Sequence, residues 1–293
     1  MRIRIPATSA NLGPGFDSLG LAISLYNYVT ITPYTCQSIS VKGEGANNPR
    51  LKVNNIFVSI FKEVYQELDG KKNTFRFEFE NNIPFSRGLG SSSAVIVGAI
   101  ASAYYMANVK ISKQSILNRA LVYESHPDNI APAVYGGFTT SIVADNSIKT
   151  LKKDLPQDIK AVIVIPNRAM STAHSRTQLP KSYLMRDVTF NSSRVGFMSA
   201  AFFSEDWELL KYASWDKVHE NRRMKKMKEL FSVRKLALKN GALMSTLSGS
   251  GSSFFSLVYE KDAKKLKNLL QKAFPNFRVE EYIFDNIGFK VEK

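Results

Sequence analysis

Arg2–Ile5 and Phe75–Glu80 (Phe-Arg-Phe-Glu-Phe-Glu) alternate polar with apolar side chains, the period of a strand with one buried face. Leu19–Thr32, rich in Ile, Tyr, Val and Thr, predicts a long strand. Asn55–Gln66 instead sets Ile56, Ile60, Phe61 and Val64 at helical spacing. Ser91–Asn108 is so apolar that it predicts a helix buried on most sides. Ser112 is placed to cap an amphipathic helix carrying Ile116, Leu117, Ala120 and Leu121. A second block begins near Lys160. It reads as a strand over Ala161–Pro166, helical composition from about Asn191 to Gly241, a strand over Ser253–Tyr259, a capped helix over Asp262–Ala273 and a closing strand over Arg278–Phe284. Two mixed blocks predict an α+β fold of two domains, residues 1–155 and 156–293.

Composition narrows the class. The 293 residues, 44% hydrophobic and 22% charged, can build a sizeable core and exclude a mostly disordered chain. A lone cysteine, Cys36, excludes an internal disulfide or a cysteine-based zinc site and suits a reducing compartment. The first residues lack the apolar core of a signal peptide, and the longest apolar stretch, Ala94–Ala107, is too short to span a bilayer. A soluble cytoplasmic protein is expected. Forty Lys and Arg against 25 Asp and Glu leave a net +15, a field that favours any anion. Arg222, Arg223, Lys225, Lys226 and Lys228 cluster within it. No zinc finger, RNA-recognition motif or Arg/Gly tract accompanies them, so nucleic-acid binding rests on charge alone.

Three glycine-rich segments and one dense polar turn carry the chemistry. In Pro6–Asp17 a Gly13-Pro14-Gly15 turn presents Asn11 and Asp17 from an irregular loop, suited to a polar or cationic group or simply to local Asx bonds. In Pro84–Ala94, Gly88 and Gly90 let backbone approach a ligand, and Ser91–Ser93 open the apolar helix. The free N–H donors there suit a phosphate, although an ordinary serine-capped helix would read the same way. The loop is neither a Walker A motif nor a dinucleotide fingerprint. Leu247–Ser253 is a weaker glycine turn before a strand. Glu124-Ser125-His126-Pro127-Asp128-Asn129 could supply metal and substrate ligands, with His126 read as structural.

In this order the four segments resemble the kinase superfamily of galactokinase, homoserine kinase, mevalonate kinase and phosphomevalonate kinase. Pro84–Ser93 is similar to its phosphate-binding motif and Leu247–Ser253 to its carboxy-terminal glycine motif, with Ser252 where proline is usual. Pro6–Asp17 and His126–Pro132 resemble the homoserine kinases in particular. The resemblance implies an amino-terminal domain shared in fold with part of a ribosomal protein, and a ferredoxin-like carboxy-terminal domain with the active site between them. It implies transfer of the ATP γ-phosphate to the hydroxyl of L-homoserine in threonine biosynthesis, with Mg²⁺ as cofactor. Asn55, Pro84, Arg87, Gly88, Leu89, Gly90, Ser91, Ser92 and Ser93 would meet the nucleotide, and Ser92 and Glu124 the metal. Asn11, Asp17, Asn129, Thr172, Arg176 and Arg223 would hold the substrate, Asp17, Asn129 and Arg176 lying nearest the chemistry. Arg222, adjacent to Arg223, competes for the same role. Asp17 would bind the amine or act as general base; no other carboxylate in these motifs is expected to be free for the amine. Neither nucleic acid nor membrane is expected as a partner, and a homodimer is left open. Mevalonate or shikimate is the rival substrate, but neither has an amine for Asp17. A nucleic-acid-binding protein is the rival of another class, and it leaves the glycine loops and Glu124 without a purpose.

Overall fold

The computed structural model describes residues 1–69, 73–170 and 172–292. Strand β1 (Arg2–Ala10) runs well past the alternating segment, through Pro6, where its pairing with β2 (Leu19–Pro33) shifts register. That irregularity absorbs a proline, which has no N–H to give the ladder. β3 (Ser38–Gly43) lies parallel to β4 (Phe75–Asn81), and the hairpin β5 (Phe138–Ala144) and β6 (Ser147–Lys153) joins through β5 to β2. The short helix α1 (Arg50–Val53) precedes α2 (Ile56–Asp69), which packs on α3 (Ser91–Met106); α3 also contacts β1. Phe57, Phe61, Phe75, Phe77 and Phe79 interlock between helix and sheet, mostly edge to face. Ile56, expected in that core, is exposed. α4 (Lys113–Ala120) begins as expected at Ser112, whose Oγ accepts the Ser115 N–H at 3.0 Å, and α5 (Pro127–Tyr135) follows with proline at its first position.

A second sheet is built from β7 (Ile159–Pro166), β8 (Met244–Leu247), β9 (Phe254–Tyr259) and β10 (Phe277–Tyr282), in the order β10-β7-β9-β8. With α11 (Glu260–Ala273) between β9 and β10 and helices between β7 and β8, this is the βαββαβ ferredoxin-like order. The helical stretch expected from Asn191 to Gly241 is several pieces. After α6 (Thr172–Thr177) come α7 (Met185–Ser204), α8 (Leu210–Ala213), α9 (Glu220–Met224) and α10 (Glu229–Lys239).

The single division predicted at residue 155 separates the two sheets but is crossed twice. Phe202 of α7 stacks on Phe138 of β5 with ring centroids 4.0 Å apart, and Met198, Trp207 and Leu210 join the first core. The chain then returns after β10, expected as the closing strand. Phe284 bridges to Ile23, and β11 (Lys290–Glu292) pairs antiparallel with β1. Buried Asp285 locks the return, accepting from Arg4, from the Tyr26 hydroxyl and from the Ile287 and Gly288 N–H groups.

Candidate active site

Between the two sheets lies a cavity of about 420 Å³. The glycine segment ahead of α3 forms one wall. Gly88 and Gly90 have positive φ (+75° and +67°), the left-handed region open to glycine. A Cβ at Gly88 would lie 2.1 Å from the Ser248 carbonyl oxygen, so the carboxy-terminal glycine turn braces this loop from beneath. Ser248 Oγ donates to Gly88 O (2.6 Å) and lies 2.9 Å from Ser9 Oγ, whose hydroxyl can donate to it, and Ser253 N–H donates to Arg87 O. At Gly90 the neighbour is Thr8, its Oγ1 1.9 Å from the added Cβ. Gly90→Val is therefore expected to reduce thermal stability along with ATP affinity, by upwards of 1 kcal/mol for the left-handed φ and the steric conflict together. Parallel melting and nucleotide-binding measurements check it; an unchanged melting temperature would refute the steric reading.

Pro84, Gly88, Leu89, Gly90, Ser91, Ser92 and Ser93 all line the cavity, beside an apolar end made by Ile56, Phe57, Phe79, Phe85 and Val95. Asn55 lines it too, donating from Nδ2 to Leu51 O (3.1 Å) at the start of α2. Arg87 also reaches the wall, yet its guanidinium is tied to the carbonyls of Phe85 (2.9 Å) and Pro166 (3.0 Å).

The opposite end is charged. Asp17, at φ +59°, takes a two-pronged bond from Arg176: Nη2 to Oδ1 at 2.8 Å and Nη1 to Oδ2 at 3.1 Å. Asn11 is spent inside the loop, its Oδ1 accepting the Asp17 N–H and its Nδ2 donating to Gly249 O. Asn129 Oδ1 accepts from Thr8 Oγ1 at 2.8 Å, leaving Nδ2 with a long 3.5 Å bond to Asp128. Arg223, 2% exposed, lines the cavity, whereas Arg222 lies off it, bonded to Val218 O. Burial, then the positive Arg176 nearby, lower the pKa of Arg223. Its buried Nε has no hydrogen-bond partner among the described residues, a donor suited to an incoming anion. The side chain of Thr172 lies outside the described residues.

Two residues are more central than the sequence suggests. His126, expected to be structural, stands between carboxylates: Nδ1 is 2.9 Å from Glu124 Oε1 and Nε2 3.6 Å from Asp17 Oδ2. Asp128 contradicts the expectation that Asp17 is the one carboxylate available for an amine. It lines the same cavity, is 6% exposed, and burial, then Asp17, push its pKa up to about 7.

This topology, with a glycine loop ahead of α3 at the cleft between its sheets, is that of the small-molecule kinases. The model of the GHMP kinases N terminal domain matches residues 55–137, and that of the GHMP kinases C terminal matches residues 198–276. A homoserine kinase of Aliarcobacter butzleri is 59% identical over the full length of both chains, and one of Nitratiruptor is equally similar, again over both full lengths. The crystal structure of homoserine kinase from Cytophaga hutchinsonii superposes with a TM-score of 0.88 at 27% identity, covering 99% of this chain and 96% of that one. The Methanococcus jannaschii mevalonate kinase, at 16% identity and a TM-score of 0.73 over 98% of each chain, shares the fold. The chain belongs to the homoserine kinase family.

Proposed function

We propose that the chain transfers the γ-phosphate of ATP to the side-chain hydroxyl of L-homoserine, giving O-phospho-L-homoserine on the route to threonine. One observation carries this reading beyond the family: a helix-terminal glycine loop suited to phosphate opens into the same cavity as the carboxylates of Asp17 and Asp128 and the guanidinium groups of Arg176 and Arg223. Homoserine is a zwitterion with a hydroxyl tail, and complementary charges of both signs are what it requires. Asp17 and Asp128 would hold the ammonium, Arg176 and Arg223 the carboxylate, and Asn129 Nδ2 would meet the hydroxyl. The N–H groups of Gly88–Ser93 would cradle the triphosphate, with the adenine against Ile56, Phe57 and Phe79 near Asn55.

The donor set also fits magnesium. Ser92 and Glu124 line the cavity as a hydroxyl and a carboxylate, and the Glu124 side chain is 31% exposed. Among the described residues no cluster of three His, Cys, Asp or Glu is placed to hold a metal. Magnesium usually takes one or two protein oxygens and completes its shell with phosphate and water, so the pair suffices. Bound there, the ion would neutralise phosphate charge. The chain's own part is positioning: the loop fixes the phosphates, and the charged end fixes homoserine with its hydroxyl toward them. A loose phosphoryl-transfer transition state needs this alignment more than a strong base. Asp17 suits binding better than proton removal, both its oxygens already accepting from Arg176.

No helix among the described residues is long and apolar enough to cross a membrane, and a cytoplasmic enzyme drawing on the ATP pool fits the proposal. ADP release with Mg-ATP, compared across homoserine, mevalonate and shikimate, is expected with homoserine alone. Background release with homoserine would sink the proposal. Release with mevalonate would favour the neighbour that shares only the fold.

A further inference from the structure

We propose that His219 is a positioning residue that, as a neutral imidazole, aims Arg223 into the cavity and holds the turn carrying Asp17. The inference rests on the kinase reading for its function, while its geometry stands alone.

His219 is fully buried just ahead of α9, 206 residues from the Gly13 whose carbonyl it meets. Its Nε2 lies 2.8 Å from Gly13 O, and its Nδ1 lies 3.2 Å from Arg223 Nη1. A carbonyl oxygen can only accept, and a guanidinium nitrogen can only donate. Nε2 must therefore carry the hydrogen while Nδ1 offers its lone pair. A second proton on Nδ1 would set N–H against N–H. Burial agrees, lowering the imidazole pKa to about 4; Arg223 acts in the same direction, and the nearby Asp216 and Asp17 oppose it.

The ring cannot swing. Asp216 accepts from the N–H groups of Val218, His219 and Glu220 and from Asn191 Nδ2, fixing the backbone beneath His219. Phe16 packs beside the imidazole with ring centroids 5.0 Å apart, and both Arg176 and Arg223 lie 5.2 Å from the centre of the same phenyl ring. Arg223 Nη1 is thus shared between His219 Nδ1 and Gly249 O (3.1 Å). Gly13 is wedged as well, since a Cβ there would lie 2.4 Å from Ser214 O. One imidazole thereby joins the loop of Asp17, on the first sheet, to the arginine of α9, on the second. Opposite charges for the two ends of one substrate are held in register through it.

The two ring nitrogens can be tested separately. An asparagine carbonyl stands near the place of Nδ1 and can still accept from Arg223; a glutamine amide stands near Nε2 and can still donate to Gly13. His219→Gln is expected to raise KM for homoserine about tenfold or more, with KM for ATP and for homoserine methyl ester little changed. His219→Asn should restore most of the homoserine KM. In an Arg223→Ala background, His219→Gln should add almost nothing. Equal effects on homoserine and the ester, an additive cost on Arg223→Ala, or a loss of thermal stability with KM unchanged would each overturn the proposal. Long-range ¹H–¹⁵N spectra give a readout independent of activity, with only three histidines to assign. They should show His219 protonated on Nε2 alone from pH 6 to 8. A hydrogen on Nδ1 would end the proposal even in an active kinase, whereas a parent protein inactive on homoserine but with this tautomer would fault the activity reading instead.

Discussion

Arg176→Ala is expected to lower kcat/KM for homoserine by roughly thirty- to a thousandfold and to leave ATP binding nearly intact. In the structure the guanidinium fork closes on Asp17. On the proposed reading, homoserine would exchange into an existing ion pair, its ammonium replacing arginine on Asp17 and its carboxylate replacing Asp17 on arginine. Both members are partly exposed, 28% for the Asp17 side chain and 40% for that of Arg176, so the pair itself contributes no more than about 1 kcal/mol to stability. The loss should consequently appear in kinetics and hardly at all in melting. Homoserine methyl ester, without a carboxylate charge, supplies the control: the parent should use it poorly, and the variant little worse. If the variant loses equally on ester and acid, Arg176 does not bind the carboxylate, and Arg223 becomes the leading ligand.

Asp128→Asn should make the folded chain more stable at pH 8 and a much poorer kinase. Burial and the carboxylates of Asp17 and Glu124 keep the Asp128 proton bound up to about 7, with His126 opposing them; the ordinary value is 3.8. Folding thus takes up a proton between those values, so the stability Asp128 contributes is complete at low pH and is lost as pH rises through 7. The whole penalty is on the order of 4 kcal/mol. The amide recovers part of it, because its own NH₂ needs acceptors in the same buried place. Urea unfolding at pH 5 and pH 8 should show the variant's advantage growing with pH, and homoserine turnover should fall for want of a negative partner for the ammonium. An advantage equal at both pH values would mean that the carboxyl ionises normally in the fold.

What could be read from the residues was local. The β4 alternation, the Ser112 cap and the glycine loop before α3 each depend on neighbours a few positions apart, and each is where the pattern places it. The break between α8 and α9 was not legible. No Gly or Pro marks it, and the turn is held by Asp216 gathering three backbone N–H groups. Asp128, following a proline at the start of α5, has the look of an ordinary first-turn acid. Only its burial beside Asp17, more than a hundred positions away, makes it part of the site. The choice between Arg222 and Arg223 likewise depends on which way α9 faces, and the basic run around them hides it. The Pro6–Asp17 and His126–Pro132 segments, far apart along the chain, both reach the lining of one cavity.

The return of residues 283–292 to the first sheet has a consequence for how the chain can be made. Until those residues exist, β1 lacks its β11 neighbour, Ile23 lacks Phe284, and Arg4 and Tyr26 lack Asp285. A nascent chain that has emerged only as far as β6 therefore carries an open strand edge, the surface most prone to pair with another molecule. Such contacts, spanning 281 positions between Arg4 and Asp285, also slow the search for the native state. The first sheet is thus completed by a segment synthesised after the second, so it cannot close in the order in which the two sheets follow one another along the chain.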